Sequence, residues 1–421
     1  LRSIKSTFIN FPKIQFISKN TLDIKINYST ICFYLINLML LVFIINALLI
    51  RSYKYMKVYY NYLPKQFSNN KKIFNDWKKL IKSSEFTLGS FMKNFEKKFS
   101  KYINVKHCIS TNTGTDALII SLKSLGIKEN DEVITVCNSF YATAGAICAL
   151  NAKPVFVDTD NRFQIDENKI EKVITKKTKA IIPVHWGGAS PKMNRIMSIA
   201  KNYNIDVVED ACMGIGAMIN NKAPGTFGKV NAFSMHPLKS LNVMGDGGII
   251  TTNDDKIAEW IKKYRNHGMI NRDHIDFWGI NSRLQPLQAI VAMHELKNLK
   301  NIIKIRNKNA KILDQSLTKI KNVFIPKRIK SNIETFALYM GLFENRDKLL
   351  NYLIKNNIEA KIHYPIPLHL QKAANKLKYK IGSFPIAEKQ AKKLLTLPVH
   401  QYLNEKHMNY MIMKINKFYN I

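Results

Sequence analysis

From about residue 85 onward, short apolar runs rich in β-branched residues alternate with stretches that are apolar at helical spacing. The predicted strands are 106–111, 131–136, 153–160, 179–185 and 206–210, followed by 232–235 and 247–252. The predicted helices between them are 115–126, 141–151, 167–175 and a segment near 191–203. Strands separated by helices of this length predict βαβ units, and therefore an α/β fold with a mostly parallel central sheet flanked by helices.

The pattern changes in the C-terminal third of the chain. A long helical region is predicted near 284–318, and the remainder, 320–421, reads as a smaller α/β domain with proline-punctuated loops around 363–370 and 384–398. The predicted domains are therefore a large α/β domain, 56–300, and a small C-terminal α/β domain, 301–421. Residues 1–55 are set apart as an N-terminal extension.

Within that extension, residues 29–50 are almost continuously apolar and long enough to span a bilayer as a helix. Basic residues stand on both sides of the segment and leave its orientation undecided. A second explanation is a mis-assigned start, since the chain begins with Leu1 and Met56 opens a stretch typical of a soluble domain. Both explanations stay open, and the catalytic part is expected in the cytoplasm, with membrane association only if the segment is a real anchor.

The net charge of +35 suits nucleic acid, an anionic membrane or a phosphorylated substrate. Lysines are spread along the whole chain, with no basic tract interleaved with aromatic residues, so no nucleic-acid partner is expected. The five cysteines contain no CxxC pair and lie mostly in apolar runs, which predicts reduced, buried thiols without a disulfide or a metal site.

Polar residues at strand ends are the candidate chemistry, because ligands of open α/β sheets bind outside the carboxyl ends of the strands. Thr113, Gly114 and Thr115 lead from a strand into a helix N-terminus, where free N–H groups favour a phosphate. Asp210 closes the strand 206–210 and is expected in the same crevice. Taken singly, Thr113, Gly114 and Thr115 are explained by an ordinary capped helix. Asp210 taken singly is explained by a helix cap or an ion pair.

Lys239 lies in the stretch AFSMHPLKSLNVMGDGG, 232–248, with Ser234 five residues before it on the preceding strand. Phe140 follows the strand 131–136, where core packing is the alternative explanation. Pyridoxal phosphate (PLP) requires a phosphate site, an aromatic face against its ring, an anion beside its pyridine nitrogen and a lysine that binds its aldehyde as a Schiff base. Together these residues meet that requirement, and we predict PLP as the cofactor.

The same stretches resemble the DegT/DnrJ/EryC1/StrS family of sugar aminotransferases, which have PLP-dependent transferase fold type I. The resemblance covers about residues 56–400 and rests on ten ordered blocks. These blocks include NTGTDAL, NDEVIT, PVFVDTD, IIPVHWGG, VVEDA, FSMHPLKSLNVMGDGG, RNHG, GINSRLQPLQA and HYPIPLHL. It implies an aminotransferase that moves an amino group from glutamate or glutamine to a keto-sugar, carried on a nucleotide, in amino-sugar or surface-polysaccharide biosynthesis.

By this resemblance, each candidate residue receives a role. Lys239 would be the Schiff-base lysine and general acid/base, and Asp210 would pair with the pyridine nitrogen. Phe140 would stack on the ring. The phosphate would be held by Thr113, Gly114, Thr115 and Ser234. Asn281 matches an asparagine that reaches the neighbouring subunit's phosphate, which implies a homodimer with shared sites, and His185, His363 and His369 would approach cofactor or substrate.

The sequence also departs from the family pattern. Met213 stands where members commonly have a glutamine thought to hydrogen-bond the cofactor, and a thioether is a poor substitute. Ile215 replaces a frequent histidine, and Thr113 a frequent serine. The retained Lys239 argues against the sugar dehydratase branch, in which histidine replaces it, and the cysteines' predicted positions argue against a desulfurase. A PLP-binding regulatory protein, or another non-transaminase member of the same fold, remains the alternative function.

Overall fold

The computed structural model describes residues 33–40 and 56–420. Residues 33–40 form helix α1, which is described by itself. The rest of the apolar segment 29–50, the predicted membrane anchor, lies outside the described residues. Over the two ranges that the structure describes, no helix combines the length and the apolar character that crossing a bilayer requires.

A seven-stranded sheet lies at the centre of the structure, in the order β1-β8-β7-β5-β4-β2-β3. Its strands are β1 (His107–Thr111), β2 (Glu132–Val136), β3 (Lys153–Val157), β4 (Thr178–Ile182), β5 (Asp206–Asp210), β7 (Val230–Ser234) and β8 (Gly248–Thr252). Five adjacent strands, in the order β3, β2, β4, β5 and β7, pair in parallel, and β8 is antiparallel to both of its neighbours. The predicted mostly parallel sheet is confirmed.

Helices cover both faces of this sheet. They are α2 (Leu63–Gln66), α3 (Lys71–Ser83), α4 (Ser90–Ile103), α5 (Gly114–Ser124), α6 (Tyr141–Cys148), α7 (Met193–Tyr203), α8 (Asp255–Tyr264) and α9 (Pro286–Leu317). Successive strand residues point to opposite faces, so Val207 packs in the cluster under α7 while Val208 packs in the cluster under α5, α6 and α8. Phe233 and Ile249 pack against α4 and α9 in a third cluster.

The C-terminal part contains a smaller antiparallel sheet in the order β12-β11-β9. It comprises β9 (Val323–Phe324), β11 (Tyr339–Phe343) and β12 (Leu394–Leu397), with α10 (Arg346–Lys355), α11 (Pro385–Lys393) and α12 (Glu405–Phe418) around it. Two short strands, β6 (Met218–Ile219) and β10 (Asn332–Ile333), pair separately. The predicted domain boundary at 300/301 falls inside the continuous helix α9 and stays a prediction.

Two predicted elements are wrong. The predicted helix 167–175 is two single 3₁₀ turns, Glu167–Lys169 and Glu171–Val173. The segment is too short and has too narrow an apolar stripe for a stable helix, and its β-branched residues lower the helix propensity further. The predicted loop 384–398 contains α11 and β12 instead. Pro385 is the first residue of α11, a position where the missing N–H costs nothing, so the proline begins an element there.

In the described part of the chain, four free cysteines are present, and Cys108 and Cys137 are buried as expected. Cys212 is half-buried. Cys148 is exposed near the end of α6, which corrects the prediction for that thiol.

Candidate active site

The carboxyl ends of β1, β2, β5 and β7 open into a cavity of about 420 Å³. Segments from the C-terminal part of the chain form its opposite side. The predicted site residues that line it are Thr113, Gly114, Thr115, Phe140, Asp210, Ser234, Lys239 and His363. Eight predicted residues from segments far apart in the sequence thus lie around one cavity.

Lys239 lies in the connection between β7 and β8, where its backbone N–H donates to the carbonyl of His236 at 3.1 Å. Burial lowers the pKa of Lys239, although the neighbouring Cys212 and Asp210 act in the opposite direction. Within residues 33–40 and 56–420, its amine has no hydrogen bond or ion pair. An amine with a lowered pKa and no competing partner is suited to act as a nucleophile or a base.

Asp210 ends strand β5 and is 5% exposed. Its Oδ2 accepts a hydrogen bond from Oγ1 of Thr143 at 2.7 Å, and its Oδ1 accepts one from the backbone N–H of Cys212 at 3.2 Å. The backbone of Asp210 pairs with Ala232 of β7, so the main chain on both sides fixes the residue. The carboxylate is thus held in one orientation at the cavity wall.

The N-terminus of α5 lies directly against strand β7. Thr113 caps the helix, its Oγ1 accepting from the backbone N–H of Asp116 at 2.9 Å. A Cβ added to Gly114 would stand 2.7 Å from Cβ of Ser234, so only glycine permits this close approach. Thr115 is exposed in the first turn, and Ser234 accepts from the N–H of His236 at 3.2 Å. Backbone N–H groups and hydroxyls thus converge as an anion requires.

Phe140 precedes α6, and its ring is 46% exposed at the cavity. The ring centroids of Tyr141 and Tyr364 lie 5.2 Å and 6.2 Å from that of Phe140. Packing on one side only leaves this aromatic face open to a flat ligand. Core packing, the alternative explanation from the sequence, does not describe a ring with this exposure.

Of the three predicted substrate histidines, only His363 lines the cavity. Its Nδ1 is 3.1 Å from Oγ1 of Thr396, and burial lowers its pKa to about 4, with the charges of Lys361 and Lys239 acting in the same direction. A neutral imidazole in the cavity can accept a hydrogen bond from a substrate hydroxyl.

His185 and His369 do not line this cavity, and their predicted approach to cofactor or substrate stays a prediction. His185 is fully buried behind β5, with Nε2 2.8 Å from Oε2 of Glu209 and Nδ1 3.0 Å from Oγ of Ser190. Burial would raise the pKa of Glu209, but hydrogen bonds from His185 and from backbone N–H groups lower it on balance. His369 pairs with Glu388 at 3.0 Å and packs on Phe384. Neighbouring side chains engage both ring nitrogens of His185 but only Nε2 of His369, whose Nδ1 is buried without a hydrogen-bond partner among the described residues.

Asn281 is exposed and does not line the cavity formed by its own chain. Its Oδ1 accepts from Nε of Arg283 at 2.8 Å. The segment before it carries exposed apolar side chains, among them Trp278, which is 87% exposed, and Ile270, which is 60% exposed. The predicted contribution of Asn281 to a neighbouring subunit's site stays a prediction.

The surroundings of two residues that depart from the family pattern are defined in the structure. Met213 lines the cavity, and its carbonyl accepts from Oγ1 of Thr335 at 2.7 Å. Ile215 is buried in the cluster beneath α4 and α9, where a histidine would lose hydration without gaining a partner. Its carbonyl accepts from Oγ of Ser240 at 2.6 Å, which fixes the chain one residue after Lys239.

Sequence reasoning missed several cavity residues, among them Thr143, Tyr62, Arg306 and His400. Thr143 had a usable signal, since it lies one turn into the helix that follows a strand end. The other three come from the N-terminal segment, the middle of α9 and the chain after β12. No local motif marks them, because they meet only when the C-terminal part folds back.

Comparisons with known proteins agree with this geometry. A model of the DegT/DnrJ/EryC1/StrS aminotransferase family matches residues 68–416. A pleiotropic regulatory protein of Geobacillus stearothermophilus is 39% identical over 345 residues, which are 81% of this chain and 92% of that protein. A dTDP-3-amino-3,6-dideoxy-alpha-D-galactopyranose transaminase of Aneurinibacillus thermoaerophilus is 36% identical over 351 residues, 83% of this chain and 95% of that enzyme.

Among solved structures, NtdA of Bacillus subtilis with bound cofactor PMP is similar to this chain with a TM-score of 0.81 and 28% sequence identity. The match covers 87% of this chain and 86% of that one. The likeness therefore extends over the central sheet and the C-terminal part alike.

Proposed function

Because the chain belongs to the DegT/DnrJ/EryC1/StrS aminotransferase family and is a PLP-dependent sugar aminotransferase, we propose that its amino donor is glutamate or glutamine and that its acceptor is a keto-sugar carried on a nucleoside diphosphate. The Aneurinibacillus relative, which acts on a dTDP-linked sugar, supports the nucleotide-linked acceptor. The proposed setting is the biosynthesis of amino sugars or surface polysaccharides.

The described residues fit PLP. The close approach of Gly114 to Ser234 leaves the α5 N-terminus clear for a phosphate, as a Cβ at residue 114 would not. Phe140 offers an open ring face, Asp210 offers an oriented carboxylate, and Lys239 offers an amine with no partner among the described residues. When bound, PLP supplies an electron sink for the carbon from which the amino group leaves.

The protein's own groups perform the remaining chemistry. Lys239 Nζ accepts the proton from the donor's α-carbon and later delivers a proton to the acceptor carbon, because its lowered pKa keeps a larger share of the amine neutral. Asp210, held by Thr143 and by the N–H of Cys212, would present its carboxylate to the cofactor's ring nitrogen.

A regulatory function is the second candidate, because the Geobacillus relative is named a pleiotropic regulatory protein. Against it stands the state of the Lys239 amine, which a purely binding site does not require. The two functions differ in what glutamate does to the bound cofactor, so one experiment separates them.

The proposal rests on the Lys239 amine, which has no partner among the described residues, and on the fixed carboxylate of Asp210 in the same cavity. The test is the visible absorption of the purified full chain with PLP, before and after glutamate or glutamine, followed by a UDP- or dTDP-linked keto-sugar. We expect the PLP absorption to disappear with the amino donor and to return with the sugar. Lys239→Ala abolishes both changes, whereas Lys308→Ala, at an exposed position of α9, leaves them intact. Bound PLP that does not respond to any donor would contradict the proposal and favour regulation.

We also propose a homodimer with shared sites, supported by the exposed apolar side chains near Asn281. Mixing inactive Lys239→Ala chains with Asn281→Ala chains tests it. In a mixed dimer with shared sites, one site keeps both wild-type residues, so activity returns on mixing. A monomer by light scattering, or no recovery on mixing, would overturn the arrangement.

A further inference from the structure

Arg306 is a buried cation in the middle of α9 and lines the same cavity as Lys239. It is 1% exposed, yet no carboxylate of the described residues forms an ion pair with its guanidinium. Its hydrogen bonds go to neutral groups: Nε donates to Oε1 of Gln401 at 3.1 Å, and Nη2 donates to the hydroxyl of Tyr62 at 2.8 Å.

A guanidinium without an anion is costly to bury, since charged side chains in protein interiors are normally paired. Arginine has five N–H donors in a planar fork that matches a carboxylate in two-point contact. The two donors with neutral acceptors hold the fork in place, while the cavity lies open beside it. The arrangement has the features of a carboxylate site built into the wall of the cavity.

Tyr62 places this site close to the chemistry. Its hydroxyl accepts from Arg306 and donates to the backbone carbonyl of Lys239 at 3.1 Å. The phosphate site at the α5 N-terminus uses residues of other elements, namely Thr113, Gly114 and Ser234. Arg306 is therefore positioned for a second anion, one that is bound next to the lysine.

We propose that Arg306, held by Tyr62 and Gln401, binds a carboxylate of the amino donor and of the 2-oxo acid that the donor becomes. The inference rests on the proposed function, since it assumes an amino-acid donor. It assigns to α9 the recognition of the donor and gives a reason why a cation is kept in the cavity without an internal counterion.

The test compares wild type, Arg306→Gln, Arg306→Lys and Tyr62→Phe as full chains loaded with PLP. The probe is 2-oxoglutarate, and its dissociation constant is measured by calorimetry, with the dissociation constant of PLP and the KM and kcat for glutamate measured in parallel. We expect Arg306→Gln to raise the dissociation constant of 2-oxoglutarate and the KM for glutamate by about 10- to 100-fold. Arg306→Lys retains part of the affinity. Lys308→Gln is the control, because Lys308 is exposed and lies two residues further along the same helix. It removes one positive charge as well, and we expect it to change neither the dissociation constant of 2-oxoglutarate nor the KM for glutamate.

If Arg306 had only a structural role, its substitution would lower the affinity for PLP as much as the affinity for 2-oxoglutarate. That result would overturn the inference. Equal 2-oxoglutarate binding by wild type and Arg306→Gln would overturn it as well. If Arg306→Gln does not fold, Tyr62→Phe decides, with an expected weakening of about 3- to 10-fold for the loss of one hydrogen bond. If the wild-type protein transaminates with neither glutamate nor glutamine, the proposed donor is refuted. If the donor reaction is normal but does not change when Arg306 is substituted, only the inference about Arg306 is refuted.

Discussion

The cavity has two walls that differ in how they are built. The sheet wall consists of Thr113, Gly114, Thr115, Asp210 and Ser234, which stand at strand ends and at the start of α5. The far wall consists of Tyr60, Tyr62, Arg306, His363 and His400, which lie on segments spread from residue 60 to residue 400 of the chain. Strand pairing in the central sheet positions Asp210 and Ser234 in the first wall, whereas isolated backbone bridges and side-chain contacts between distant segments assemble the second. We infer that the sheet wall holds the cofactor and that the far wall receives the substrates.

The largest expected effect tests the sheet wall. Asp210→Asn removes the negative charge while preserving size, so we expect the rate of the glutamate half-reaction to fall by roughly 10²- to 10³-fold. Single-turnover absorbance measures this rate. Asp246→Asn is the matched control, since Asp246 is an exposed carboxylate lining the same cavity. Equal losses in both variants would remove the distinction between the two carboxylates.

The next effect concerns the far wall and its histidines. Burial lowers the pKa of His400 and of His363 to about 4. The unfolded chain takes up these protons near pH 6.5 and the folded chain only near pH 4, so stability falls as the pH is lowered through this window. From pH 7 to pH 5 we expect a loss of roughly 2 kcal/mol for each histidine.

Urea unfolding of the apoprotein at both pH values checks this expectation. His400→Gln should reduce the pH dependence, whereas His274→Gln, at an exposed histidine, should leave it unchanged. If the pH dependence of stability is unchanged in His400→Gln, burial of the His400 imidazole does not contribute to it.

Gly114→Ala tests the packing of α5 against β7 in the sheet wall. The added Cβ meets Ser234 at 2.7 Å, so the helix must shift, and we expect a loss of about 1–3 kcal/mol in stability together with weaker PLP binding. Gly145→Ala in α6 is the control, because a Cβ there meets no atom within 4 Å and alanine favours a helix. Thermal unfolding and PLP titration distinguish them, and similar outcomes for both variants would contradict the packing argument.

The smallest expected effect is that of Thr143→Val. It removes the hydroxyl that donates to Asp210 while preserving shape, and we expect a loss of roughly tenfold in the glutamate half-reaction. Thr143→Ser keeps the hydroxyl and should restore most of the rate. If Thr143→Ser loses as much as Thr143→Val, the methyl group and not the hydrogen bond is responsible.

The two walls also differ in how far the sequence could reveal them. Strands of the central sheet were predictable to within about three residues, because buried parallel strands are continuous apolar runs bounded by turns, and the residues at their ends then mark one edge of the sheet. Tyr62, Arg306 and His400 carry no such mark. Their proximity depends on the return of the chain after β12, a long-range contact that neither periodicity nor a motif encodes.

Two residues show why a residue type alone does not decide its role. His185 is a site candidate by the family resemblance, and in the structure its imidazole contacts Glu209. Pro385 resembles a loop residue, yet it begins α11. In both cases the residue type permits two uses, and only the neighbours select between them.

Asp210 and Ser234 stand on strands β5 and β7, which are adjacent and pair in parallel. Main-chain hydrogen bonds thus set the separation of the residues expected at the two ends of the cofactor, and no side chain needs to maintain it. Mutations that reshape the opposite side of the cavity can accumulate without altering this spacing. A lineage of such enzymes can therefore acquire new sugars while keeping the same catalytic centre, and a designer who changes specificity can leave strands β5 and β7 untouched.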